Sequence, residues 1–189
     1  REKLEIAHQL ARLKVDVIEA GFPISSNEDF EAVHRVASEV EGPIICGLAR
    51  ALQQDVDRAC EALRDSPNPR LHTFIGTSPN HIEMLRKKPA DVLKMAVAAV
   101  ENAKSKVEDV EFSPMDATRT EPEYLFEVLT ATIDAGATTV NIPDTVGYAV
   151  PEQFGALIRD IIKHVSNIQK AVISVHCHDD LGMAVSNTL

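Results

Sequence analysis

The sequence predicts an α/β fold, and within that class a portion of a (β/α)8 TIM barrel of about six βα units. Three observations carry this. Short β-rich runs alternate with helical runs six times along 189 residues, at roughly the 30 residues of a βα unit, which implies a parallel sheet with right-handed crossovers. That alternation leaves an open doubly wound sheet or a closed barrel. No G-x-G-x-x-G or phosphate-loop pattern follows the first strand, which weakens the open, dinucleotide-binding form. Strand parity favours the barrel. Val110 and Phe112 alternate with Glu111 and Ser113; Val140 and Ile142 alternate with Asn141; Ile173 and Val175 alternate with Ser174, His176 and His178. A strand in an open α/β sheet is usually apolar on both faces. One polar face on successive strands suits a barrel, whose chemistry sits at strand C-terminal ends.

The elements follow in order. A helix over Glu2–Leu13 precedes a strand at Val15–Gly21. The helix Asn27–Val40 sets Phe30, Val33, Ala37 and Val40 on one face, with Ser26 and Asp29 as its start signal. The strand Ile44–Ala49 leads into the helix Leu52–Leu63, and the strand Arg70–Gly76 into a helical turn near His81–Arg86 and a helix at Ala90–Ala103. The strand Val110–Ser113 is followed by the helix Glu123–Ala135, with Thr120 and Glu123 read as a capping box and Gly136 as a left-handed stop. The strand Thr138–Ile142 precedes the helix Glu152–His164, which carries Phe154, Leu157, Ile158, Ile161 and Ile162. The strand Val172–His178 comes last. No linker or low-complexity segment interrupts residues 1–189, so a single domain is expected.

Composition excludes some classes. The chain is 44% hydrophobic and 25% charged, with a net charge of −10. That acidity argues against nucleic acid as a partner, and two Tyr with no Trp leave few stacking platforms. No apolar run approaches the roughly 18 residues of a membrane span, and no signal-peptide pattern opens the chain. Cys46, Cys60 and Cys177 are scattered and odd in number, which points to a reducing compartment; the cytoplasm is expected, or the plastid stroma if the source is a plant or alga. Cys46 and Cys177 fall in strand-like runs and read as small buried hydrophobes. The chain opens on Arg1 and runs straight into a helical pattern, as a piece of a longer protein would.

The sharpest chemical signal is Ser174-Val175-His176-Cys177-His178-Asp179-Asp180. Residues two apart on a strand face the same way, so both imidazoles can share a metal ion, with Asp179 and Asp180 available to orient them. The bland alternative is two histidines on a polar strand face. In Asn141-Ile142-Pro143-Asp144-Thr145-Val146-Gly147, Pro143 is expected to end regular pairing and put Asp144 and Thr145 in the following loop. The Thr145 hydroxyl there could hold a carboxylate. Glu19 closes the first strand, where a carboxylate is costly unless paired or functional. His72 reads as a site residue or a satisfied core histidine. Glu111, Ser113, Asp116 and Arg119 form a polar cluster in which Asp116 and Arg119 could be a plain loop salt bridge.

Taken together, Ile18-Glu19-Ala20-Gly21-Phe22-Pro23, His72-Thr73-Phe74-Ile75, Val110-Glu111-Phe112-Ser113, the Asn141–Gly147 run and Ser174–Gly182 resemble the 2-isopropylmalate synthase family. That family belongs to a wider group of metal-dependent Claisen-type synthases and lyases on TIM barrels. The resemblance implies condensation of acetyl-CoA with a small 2-oxo acid, 3-methyl-2-oxobutanoate for leucine biosynthesis, followed by thioester hydrolysis. It implies a divalent metal, Mn, Mg or Zn, held by His176 and His178. It assigns Thr145 to the acceptor's carboxylate, and Glu19, His72, Ser113 and Asn141 to the acceptor pocket. It implies a homodimer for the full-length protein. It names no catalytic residue within this chain.

The chain departs from the family pattern in three places. The opening strand with Asp-Thr-Thr-Leu-Arg-Asp-Gly-Glu, which brings a metal-ligating aspartate and a catalytic arginine, is not in the sequence; nor is the later segment with a ligating asparagine. A piece without them is expected to be inactive alone. Met115 stands where relatives commonly carry an acid near the acceptor, which leaves citramalate, homocitrate or methylthioalkylmalate synthases, or a non-catalytic barrel, as alternatives. Lys14 replaces a usual glycine after the first helix, at an expected cost of roughly 1 kcal/mol if the turn is left-handed.

Overall fold

A computed structural model describes residues 2–189. Its elements are α1 (Glu2–Arg12), β1 (Val17–Gly21), α2 (Asn27–Glu39), β2 (Ile44–Arg50), α3 (Gln53–Leu63), β3 (Pro69–Gly76), α4 (Pro79–Met84), α5 (Pro89–Lys104), β4 (Asp109–Met115), α6 (Pro122–Asp134), β5 (Thr139–Asp144), α7 (Pro151–His164), β6 (Val172–Cys177) and α8 (Ala184–Thr188). Short 3-10 turns lie at Ala117–Arg119 and Ile168–Lys170. The strands are hydrogen-bonded in chain order, β1-β2-β3-β4-β5-β6, as the βα repeat requires. No helix among the described residues is long and apolar enough to cross a membrane. The chain divides into two compact units: one takes the residues up to Thr73 with Ala99–Glu111, the other Phe74–Ala98 with Phe112–Leu189.

In the first unit β1 and β2 run parallel, pairing Val17 with Ile44, Ile18 with Ile45 and Glu19 with Cys46, before an irregularity between Glu19 and Gly21. The α2 stripe packs on them: Val33, Val36, Ala37 and Val40 join Ala7, Ile18, Ile45, Ala62 and Leu63 in one core. Fully burying each of these larger aliphatic side chains is worth about 1.5–3 kcal/mol. Ser26 caps α2 as expected, accepting from the Asp29 N–H at 3.0 Å. The end of α1 is also as expected. Lys14 takes φ 61°, its N–H donates to the Ala11 carbonyl, and the Val15 N–H reaches back to Leu10, the closure that usually takes glycine.

In the second unit β5 and β6 pair in parallel over six positions, Thr139 with Val172 through Asp144 with Cys177. The ladder passes through Pro143, where pairing was expected to stop. Proline removes a single donor, and the flanking groups continue the ladder, the His178 N–H donating to the Asp144 carbonyl. Asp144 is therefore a buried strand residue, and only Thr145 begins the loop. α6 buries Leu125, Val128, Leu129 and Ile133, and α7 buries Phe154 and Ile161. The Thr120–Glu123 capping box does not form. α6 starts at Pro122 with Glu121 before it and no side-chain cap. Thr120 is instead held by the preceding 3-10 turn, its hydroxyl donating to the Asp116 carbonyl. The parity reading holds: Val110, Phe112, Val140 and Ile142 are fully buried on the apolar face, while Glu111, Ser113 and Asn141 occupy the other.

Candidate active site

Equal parity on neighbouring strands sets polar side chains shoulder to shoulder. In the first unit this assembles Glu19 of β1, Cys46 of β2, Arg70 and His72 of β3, and Asp109 and Glu111 of β4. His72 Nδ1 lies 2.6 Å from Glu19 Oε2. A carboxylate only accepts, so Nδ1 carries the proton. His72 Nε2 faces Glu111 Oε1 at 3.9 Å. Arg70 bridges Glu111 at 3.2 Å and Asp109 at 2.8 Å, compensating two carboxylates near the histidine. The Cys46 thiol donates to Glu19 Oε2 at 3.7 Å. Burial, and then the charges of Glu19 and Glu111, push that thiol well above its usual range.

Glu19, Cys46 and His72 offer ligand atoms within 4.8 Å of one another. In this structure they form a hydrogen-bonded set around the Glu19 carboxylate, which accepts from His72 Nδ1 and from the Cys46 thiol. The side chain of Glu19 remains 43% exposed, against 10% for His72, so the carboxylate is the member of the set that meets solvent or ligand.

The second unit carries three groupings. The Asn141 amide donates to Ser113 Oγ at 2.8 Å, and both residues are buried. Thr145 Oγ1 accepts the backbone N–H of Asp116 at 3.0 Å. Asp144 itself is structural: its carboxylate accepts from Thr118 Oγ1 at 3.1 Å and from the Ala149 N–H at 3.0 Å, tying down the loop between β5 and α7. His176 and His178 form the third grouping, with Nε2 atoms 3.1 Å apart and ring centroids 5.0 Å apart. Both side chains are exposed.

The histidine pair fits a metal ion. Two nitrogen donors each about 2.1 Å from one ion stand about 3.0 Å apart at a right angle and about 3.4 Å apart at a tetrahedral angle. The observed spacing falls between these and also admits an N–H···N hydrogen bond between neutral rings. The loop beyond them is anchored, since Asp179 Oδ1 accepts the Ala184 N–H at 3.0 Å at the start of α8. Asp180 packs against Gly147, which has φ +61° and no Cβ to obstruct it.

Each sequence-predicted residue thus has a polar neighbour: Glu19 with His72, Ser113 with Asn141, His176 with His178, and Thr145 with Asp116. Sequence reading missed the roles of Cys46, Arg70, Ser78 and His81. Cys46 was legible from parity, because it pairs in register with Glu19. Ser78 and His81 lie in a loop and the short α4, and bond to Asp116, 38 and 35 residues away; no local pattern announces that.

Comparison with known proteins speaks to the family and the fold. The chain is 59% identical over 189 residues to a 2-isopropylmalate synthase of Pyrococcus abyssi, covering all of this chain and 39% of that protein. It is 60% identical to that of Heliobacterium modesticaldum and 62% identical over 192 residues to that of Thermosynechococcus vestitus, covering 37% and 36% of those proteins. It therefore spans well under half the length of these curated relatives. Among solved structures it is similar to an HMG-CoA lyase of Bacillus subtilis and a hydroxymethylglutaryl-CoA lyase of Pseudomonas aeruginosa. Each gives a TM-score of 0.75 at 20% identity and covers 98% of this chain, and 64% and 63% of theirs. At that identity they speak for the fold alone, the βα repeat of a TIM barrel, of which this chain holds six units. The HMGL-like pattern matches residues 1–189, and the chain belongs to the HMGL-like family.

Proposed function

We propose that this chain is part of a 2-isopropylmalate synthase, an acyltransferase that condenses acetyl-CoA with 3-methyl-2-oxobutanoate in leucine biosynthesis. The observation that carries the reading is identity of 59–62% along the whole chain to proteins of that name. The rest of the protein supplies the remaining barrel strands and metal ligands, and it works as a cytoplasmic homodimer.

In this reading His176 and His178 hold a divalent ion, their Nε2 atoms already at a spacing suited to one. When bound, the ion polarises the acceptor's carbonyl and neutralises developing charge. The Thr145 hydroxyl accepts from Asp116 and keeps its own proton for the acceptor's carboxylate. Ser113 and Asn141 fix each other and line the acceptor pocket. Glu19 and His72, paired with each other in the first unit, are further candidates for acceptor contacts.

One observation favours a different acceptor. Met115 ends β4 half-buried, next to Asp116, and the resembled family commonly carries an acid at this position. The test is a panel of 2-oxo acids with the full-length protein, read by acetyl-CoA-dependent thiol release. Fastest turnover is expected with 3-methyl-2-oxobutanoate; fastest turnover with pyruvate or 2-oxoglutarate would overturn the leucine-pathway reading. A metal titration with His176→Ala is the companion experiment. Unchanged metal affinity in that variant would remove the histidine pair from the site.

A further inference from the structure

Asp116 is heavily constrained within the second unit. Its backbone is left-handed, φ 69° and ψ 40°, a conformation costly for any residue with a Cβ and more often taken by Asp or Asn than by most. Its carboxylate is fully buried yet saturated with donors: Arg119 Nε at 2.8 and 3.0 Å, Arg119 Nη2 at 2.7 Å, Ser78 Oγ at 2.5 Å and His81 Nδ1 at 3.1 Å. Its carbonyl is pinned as well, accepting from the Arg119 N–H at 3.1 Å and from Thr120 Oγ1 at 3.0 Å. Thr120 in turn meets Thr77 Oγ1 at 2.7 Å, and the Thr77 N–H holds the Met115 carbonyl at 3.1 Å. Room for this clamp is made at Gly76, where a Cβ would collide with His81.

A plain loop salt bridge needs only the Arg119 contacts. The additional bonds from Ser78, His81 and Thr120 fix the residue's backbone orientation, the circumstance in which a strained conformation persists. What that orientation delivers is one N–H, aimed across to β5's loop and bonded to Thr145 Oγ1 at 3.0 Å.

We infer that Asp116 is the positioning residue for Thr145, its clamped left-handed backbone N–H occupying one lone pair of the hydroxyl and so directing the hydroxyl's proton to the acceptor's carboxylate. This rests on the reading of Thr145 as the carboxylate contact. A hydroxyl has one donor and two acceptor sites. With an acceptor site filled by a fixed donor, the rotor no longer samples orientations in which its proton is turned away, and the binding of an anionic group is pre-organised.

The experiment is steady-state kinetics of the full-length protein on Asp116→Ala, Asp116→Asn, Thr145→Val and the Asp116→Ala/Thr145→Val double variant, each checked for folding by thermal denaturation. Asp116→Ala is expected to raise the KM for the 2-oxo acid about tenfold, the worth of one hydrogen bond to a charged group, with the KM for acetyl-CoA unchanged. Asp116→Asn, which tolerates the left-handed backbone and keeps one acceptor oxygen for the clamp, is expected to fall between Asp116→Ala and wild type. In the Thr145→Val background the loss of Asp116 adds little. Effects that multiply independently, or a fall in kcat with both KM values unchanged, overturn the inference and leave the function reading standing. Wild-type protein that condenses no 2-oxo acid overturns both. Should Asp116→Ala not fold, Ser78→Ala removes one clamp bond and keeps the ion pair. A smaller rise confined to the same KM is expected, and no change at all overturns the inference.

Discussion

Gly147 is the position at which one added methyl separates backbone strain from crowding of the histidine-bearing loop. It sits at φ +61° three residues past the end of β5, and its N–H closes back on the Asp144 carbonyl at 3.2 Å. A Cβ there would run into Asp180 Oδ2 and stand 3.0 Å from both Asp180 Cβ and Cγ. Rotating the carboxylate relieves only the first contact. The Asp180 Cβ moves only with its backbone, and ordinary carbon contacts of about 3.5–4.0 Å require a shift of roughly 0.5–1 Å. Asp180 is two residues from His178, so the shift reaches the histidine pair. Gly147→Ala is therefore expected to cost about 1–2 kcal/mol from the left-handed backbone and, in the proposed metal site, about tenfold in metal affinity, since ligand geometry tolerates roughly 0.5 Å. Gly182→Ala is the control: φ is +69°, but nothing lies within 4 Å of its Cβ, so it carries the strain without the crowding. Both variants of the full-length protein are compared by urea denaturation and by metal titration. Equal metal affinities in the two, alongside equal stability losses, would refute the crowding argument.

Three further outcomes follow from local geometry. Lys14→Gly relieves a left-handed lysine at the end of α1 and should raise stability by about 0.5–1 kcal/mol, seen as a higher urea midpoint at unchanged slope; no gain would mean that the turn is unstrained. Asp55, fully buried in the first turn of α3, holds Arg50 through Nε at 2.5 Å and Nη2 at 3.3 Å; because Arg50 is half exposed, Asp55→Asn should cost about 1–2 kcal/mol, and a loss below about 0.5 kcal/mol would show that the pair behaves as a surface bridge. Cys46 is raised by burial and then by Glu19 and Glu111, so it should resist thiol reagents until the protein unfolds. A raised thiol gives a contribution that is intact below the ordinary thiol range and lost as pH rises above about 9, so wild type should lose more stability than Cys46→Ala between pH 8 and 10.5, and parallel curves would contradict this.

Legibility in the sequence divides along physical lines. The period-2 and period-3.6 patterns placed all six strands and the longer helices within a few residues, because burial on one face writes itself into local spacing. The Ser113–Asn141 and His176–His178 pairs were foreseeable for the same reason, since parity sets same-face residues together on adjacent strands and two apart along one strand. Errors fell where the surrounding structure overrode a local signal. Thr120 resembled a helix cap and instead served Asp116 and Thr77. Pro143 resembled a strand end, yet a parallel ladder lost only one donor there. The clamp on Asp116 draws on Ser78 and His81, whose separation of 38 and 35 residues from it carries no periodic signature.

Met115 and Asp116 are sequence neighbours with opposite duties, and the difference explains how a pocket can vary on a fixed frame. Met115 contributes its carbonyl, which accepts the N–H of Thr77; any residue able to end β4 supplies that group. Asp116 contributes its side chain to the clamp and its N–H to Thr145, so its identity is bound to the frame. In the proposed synthase, a change at 115 would alter what the acceptor meets without loosening what holds the Thr145 hydroxyl. Positions whose backbone alone is used by the fold are then the ones free to set acceptor preference, and Met115 is such a position, one residue from the clamped Asp116 carboxylate.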